Sequence, residues 1–144
     1  MRIFTALSVK QPWATMIASG RKTIETRSWS TNYRGPLLIC AGQSPDVAAL
    51  RRFGVVPAEW EDKYPPGVAL CVVSLMNVEP MTARDEVAAC CPRYPGAYAW
   101  RFGPIVAPVT PFAVRGQLGL FKVEYPWDAG LPDLSQNSTS SQGE

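Results

Sequence analysis

Apolar and polar positions along this chain change period several times, and each period predicts a different element. Ile3, Phe4, Leu7 and Val9, with small residues between them, predict a strand over residues 2–10. Trp13, Met16 and Ile17 then recur at i, i+3 and i+4, one helical face, with Pro12 at the helix start and Gly20 as its left-handed stop. Residues 23–29 alternate, placing Glu25, Arg27 and Trp29 on one face and Ile24, Thr26 and Ser28 on the other. The continuous apolar run 37–41 predicts a strand buried on both faces. Ser44-Pro45-Asp46 predicts the cap of a helix running to Arg52 and stopped by Gly54, and residues 57–64 a further short helical turn. The longest apolar run, 68–78, predicts the strongest strand. Thr82 with Asp85 has capping-box spacing and predicts a helix over 83–90, ended by Pro92. Residues 98–102 predict a short strand and 118–124 a closing one. Between them, Pro104, Pro108 and Pro111 make 105–114 an edge or irregular extended segment. Five to seven strands with helices gathered early do not repeat as strand–helix units. The pattern predicts an α+β domain, a small mixed β-barrel with two or three peripheral α-helices.

A length of 144 residues predicts one domain, assigned to 1–127. Such a chain hides roughly two thirds of its unfolded surface without staples. After Trp127 the sequence turns polar. The low-complexity run 135–143 makes 128–144 an expected disordered tail. There is no histidine, which excludes Ser-His-Asp and Cys-His catalysis and His-ligated zinc. The four cysteines contain no C-x-x-C pair. Cys40 and Cys71 sit in apolar runs and read as buried small hydrophobes; the adjacent Cys90 and Cys91 leave a soft-metal pair open as an alternative. No cofactor and no metal site is expected. The N-terminus lacks a cleavable signal and no stretch of about 18 apolar residues occurs, so the expected location is intracellular and reducing, the cytoplasm or the nucleus, with no membrane partner.

The net charge of +2 conceals a division. Residues 1–58 carry eight Lys/Arg against two acids, and residues 59–144 six against ten. A basic first half marks a face for an anion, nucleic acid above all, unless folding mixes the halves. Its densest polar stretch holds Lys10, Gln11, Trp13, Arg21, Lys22, Glu25, Arg27 and Trp29. Cations that neutralise phosphate and aromatic faces that stack on bases are the kit for an unpaired or flipped-out nucleotide. Each residue also has a plainer reading. Trp13 fits a core face, Glu25 and Arg27 fit a structural ion pair, and Lys22 fits a solvated lysine. Phosphate-loop motifs of the G-x-x-x-x-G-K-[ST] and G-x-G-x-x-G kinds are absent.

Gly20, Lys22, Glu25 and Arg27 spell G-x-K-x-x-E-x-R. They are flanked by Gln11-Pro12-Trp13-Ala14, Ser28-Trp29 and Arg34-Gly35. In this the chain resembles the activating signal cointegrator homology (ASCH) family. The likeness extends through Tyr64-Pro65-Pro66-Gly67, Tyr98-Ala99-Trp100 and Val114-Arg115-Gly116. The resemblance implies a PUA-like barrel whose cleft binds RNA or DNA, or a modified nucleoside. It implies Lys22, Glu25 and Arg27 on one side, Lys10, Gln11 and Trp13 opposite, and Tyr98, Trp100 and Arg115 completing the cleft beside Trp29. Lys22 and Arg27 would meet phosphate or a base carbonyl, and Glu25 an exocyclic amine. A branch of the family resembles amidohydrolases acting on N4-acetylcytidine, associated with a lysine and a threonine three residues later. Here that threonine position is Glu25. The alternative function is therefore an amidohydrolase on an N4-acylated cytidine-type nucleoside, with Glu25 as base and Lys22 supporting the oxyanion. Ribonuclease action is a third reading.

Overall fold

A computed structural model describes residues 2–127. The expected tail therefore lies outside the described residues. Six strands form one mixed sheet: β1 (Arg2–Val9), β2 (Ile24–Arg27), β3 (Gly35–Ala41), β4 (Ala69–Pro80), β5 (Tyr98–Pro108) and β6 (Leu120–Tyr125). Their order across the sheet is β2-β5-β4-β3-β1-β6. Only β1 and β3 run parallel; the other neighbours are antiparallel. Four short helices lie around the sheet, α1 (Trp13–Ala18), α2 (Val47–Arg52), α3 (Trp60–Lys63) and α4 (Glu86–Ala89), with 3-10 turns leading into α3 and α4. This is the expected α+β class, with one helix more than the two or three anticipated. The sheet does not close into the expected barrel: β2 and β6 remain its two edges.

The alternation of β3 explains where the core sits. Leu37, Ile39 and Ala41 face one cluster, with Leu7 and Val9 of β1, Cys71 and Val73 of β4, and Ala14 and Ile17 of α1. Leu38 and Cys40 face the other, with Phe4, Ala6, Val72, Val114 and Phe121. A strand covered on both faces has no polar positions to spare, hence the continuous apolar run. Burial pushes the Cys40 and Cys71 thiols up to about 12, so both stay protonated and pack as small hydrophobes.

Local signals account for the element ends. Asp46 caps α2, accepting the Ala49 amide at 3.1 Å. The Asp85 carboxylate accepts the Thr82 amide at 2.9 Å, the capping box expected there. The same carboxylate takes the Arg101 guanidinium at 2.9 and 3.1 Å, and that hydrogen-bonded guanidinium holds the Asp85 carboxyl below the usual carboxylate range. β5 runs six residues beyond the strand expected over 98–102, and the prolines explain how. The register with β2 ends at Arg101, and the register with β4 is irregular between Phe102 and Val106. Pro104 and Pro108 thus lie where one ladder has stopped, the edge position in which a missing N–H is tolerated. No helix among the described residues is long and apolar enough to cross a membrane.

Candidate functional site

Because β1 and β3 are parallel, both chains leave the sheet at the same edge, where Val9 pairs with Ala41. The carboxyl ends of neighbouring parallel strands diverge and leave a crevice. There the segments after them, Lys10 and Gly42-Gln43-Ser44, line an open cleft of about 1230 Å³. α1 supplies Trp13, β2 supplies Glu25, Thr26 and Arg27, and the chain from Ala113 to Gly119 forms the facing wall. That wall is tied down by Val114, whose amide donates to Gly67 O at 2.9 Å. It comes close enough to β1 that a Cβ on Gly116 would stand 2.9 Å from Ser8 Oγ. A larger residue there would have to turn the Ser8 hydroxyl aside.

At the floor lies a charge network. Lys22 is almost sealed, its side chain 1% exposed. Its ammonium donates to the Ala89 carbonyl, lies 3.6 Å from Glu25 Oε1 and sits over the Trp13 ring at 4.9 Å from the centroid. The carbonyl, the carboxylate and the ring together surround the ammonium. Glu25 is also buried. Its Oε1 accepts the Thr26 amide at 3.1 Å and its Oε2 accepts Arg27 Nε at 3.1 Å. Arg27 spends a second nitrogen on Ser8 O at 2.6 Å. The signature residues thus converge chiefly on one another. Lys22 is buried, so in this arrangement its ammonium serves the network before it serves a ligand. Both Glu25 oxygens are held by donors or cations, whereas a general base needs one turned to the substrate.

Trp13 combines the two readings open to it. It is half-buried against the core, and its indole N–H donates to Asp46 Oδ2 at 3.0 Å, so the helix-capping carboxylate also fixes a cleft wall. Trp29 is half-exposed and lines the cleft, as do the exposed Lys10 and Arg115. Three expected cleft residues stand elsewhere. Gln11 is 1% exposed. It accepts the Thr15 amide and donates to the Pro65 carbonyl, bracing the first turn of α1. Trp100 is 0% exposed. It lies under Trp29, edge to face at 4.8 Å, donating its indole N–H to Trp29 O. A large aromatic at the sheet centre gains more from burial than from solvent. Tyr98, paired with Arg27 across the strands, lines a separate cavity with Met81 and Tyr94. Sequence reading missed Ser8, Thr26, Gln43, Tyr94 and Cys91, which chain topology brings to the cleft. The adjacent thiols diverge, which does not suit chelation of one metal. Cys90 Sγ faces Arg21 O at 3.7 Å and Cys91 Sγ faces Thr26 Oγ1 at 3.4 Å.

Comparison with known proteins places this arrangement. Activating signal cointegrator 1 of Mus musculus is 37% identical over 79 residues, covering 49% of this chain and 14% of that protein. The Homo sapiens protein of the same name is 38% identical over 79 residues with the same coverage. The match thus spans only a small part of these relatives. Among solved structures, ASCH from Zymomonas mobilis superposes with a TM-score of 0.56 at 13% identity, over 94% of this chain and 93% of that one. A single-residue mutant of the Zymomonas mobilis protein gives 0.52 at 13% identity, over 96% and 98%. At that identity the likeness establishes the fold alone, an α+β domain. The ASCH domain model matches residues 7–113, most of the chain and all of the G-x-K-x-x-E-x-R segment, and the chain belongs to the ASCH domain family.

Proposed function

We propose that the cleft binds single-stranded RNA, or single-stranded or base-flipped DNA, holding one unstacked nucleotide between aromatic walls. A modified nucleoside is the smallest ligand of this chemistry. The observation that carries the reading is the division of the cleft cations into two kinds. Lys22 and Arg27 share the single carboxylate of Glu25. Lys10 and Arg115 are exposed on the cleft and have no carboxylate partner among the described residues. Two unpaired cations over a floor bearing Trp13 and Trp29 match a phosphodiester backbone with a stacked base. A cleft of about 1230 Å³ also exceeds the roughly 300–1,000 Å³ of small-molecule pockets. The general link of ASCH domains to RNA binding supports the same reading.

The test is the salt dependence of binding to a single-stranded oligonucleotide. Each phosphate neutralised on a single strand contributes about 0.7 to the slope of log Kobs against log salt. Lys10→Ala with Arg115→Ala should flatten that slope by about 1.4. An unchanged slope in the double variant, or no binding by the wild type, contradicts the proposal.

A further inference from the structure

We propose that a second backbone-binding station, built from Arg21, Phe53 and Arg52, continues the cleft past Trp13 and holds the phosphates of a strand leaving it. This inference rests on the nucleic-acid reading of the cleft.

Phe53 follows α2 and is 36% exposed. Arg21 Cζ lies 5.6 Å and Arg52 Cζ 5.4 Å from its ring centroid. The other side of this group is the cleft itself, because the Phe53 ring meets the Trp13 ring edge-on at 5.8 Å. Trp13 in turn carries the Lys22 ammonium. Aromatic and cationic groups therefore run without a break from the cleft floor to the outer surface.

The charges of this station are uncompensated. Among the described residues, Lys63 is paired with Glu59 at 2.9 Å and Arg101 with Glu79 and Asp85 at 2.6 and 2.9 Å, while neither Arg21 nor Arg52 has a carboxylate within ion-pair distance. A simpler explanation covers Arg52 alone, since it lies in the last turn of α2, where the helix end favours a cation. It does not cover Arg21, which belongs to another part of the chain, follows the left-handed Gly20 and converges on the same ring. A guanidinium held near an aromatic ring by cation–π attraction keeps N–H groups that can grip phosphate oxygens in pairs. Two such groups flanking one exposed ring match a polyanion with regularly spaced phosphates.

The experiment compares a trinucleotide with an oligonucleotide of about 12 residues, both oligouridylate, by fluorescence anisotropy on the full chain. The wild type should bind the longer strand more tightly. Arg21→Ala with Arg52→Ala should lose about 10-fold on the longer strand and flatten its salt slope by about 1.4, with trinucleotide affinity unchanged. Arg21→Lys with Arg52→Lys, which keeps both charges, should restore most of the slope. If the wild type binds both lengths and the alanine double variant matches it on the longer strand, the station is wrong and the cleft assignment stands. Equal losses on both lengths also overturn a separate station. If the wild type binds neither, the nucleic-acid reading fails and the station fails with it.

Discussion

Replacing Glu25 by alanine should destabilise the domain by about 3–5 kcal/mol, the cost of leaving a buried charge without its partner. The buried charge is Lys22, whose side chain is 1% exposed and whose ammonium is held by the Ala89 carbonyl and the Trp13 ring. Arg27 is better placed to recover, because 23% of its side chain is already exposed. A melting temperature roughly 10–20 °C below that of the wild type is the expected readout for a domain of this size. The origin of the loss can be separated from packing. Lys22→Met combined with Glu25→Gln removes both buried charges together, and replacing a buried pair as a unit costs far less than breaking it. The double variant should therefore be more stable than Glu25→Ala alone. If Glu25→Ala melts with the wild type, the network is not structural. This bears directly on function, since weaker nucleic-acid binding by a Lys22 or Glu25 variant reports on the cleft only where the fold is intact.

The second large effect belongs to Trp100. Trp100→Ala should cost about 3–5 kcal/mol in denaturant unfolding, as for other large core aromatics. Trp100 is completely buried in the main core and does not itself line the cleft. It supports Trp29, whose ring meets its own at 4.8 Å and whose carbonyl accepts its indole N–H at 3.2 Å. Trp100→Phe keeps a ring beneath Trp29 but removes the donor. It should retain the fold at a smaller cost, with oligonucleotide binding weakened through Trp29 alone. Binding lost in proportion to stability across both variants would leave Trp100 with no positioning role.

How much of this was legible before the structure depends on what each residue's surroundings contribute. β3 and β4 were legible because strands covered on both faces must be apolar throughout, a pattern no surface element imitates. The extension of β5 was not, because prolines normally end strands, and only the missing β2 partner past Arg101 makes them harmless. In the cleft, Lys22, Glu25 and Arg27 were legible from their spacing, as was Arg115 from its Val114-Arg115-Gly116 setting. Their degree of burial was not, since a strand pattern assigns faces without saying which face the neighbouring helices cover. Trp100 and Gln11 illustrate the same limit: one ends up beneath Trp29 and the other bonded to Thr15 and Pro65, supports where ligand contacts were expected. Ser8, Gln43 and Tyr94 carry no local signal at all. They reach the cleft because two parallel strands end at one edge and a later loop closes against it.

The five tryptophans offer the most direct measurement of the central claim, because their indole N–H groups report from different places in one nitrogen–proton correlation spectrum. Trp13 and Trp29 line the cleft. Trp60 donates to Val55 O and Trp127 to Thr110 O, both away from it. On titration with a single-stranded oligonucleotide, the Trp13 and Trp29 signals should move in a saturable way, while those of Trp60 and Trp127 stay in place. Movement confined to Trp60 or Trp127, with Trp13 and Trp29 unperturbed, would contradict a nucleic-acid site in this cleft.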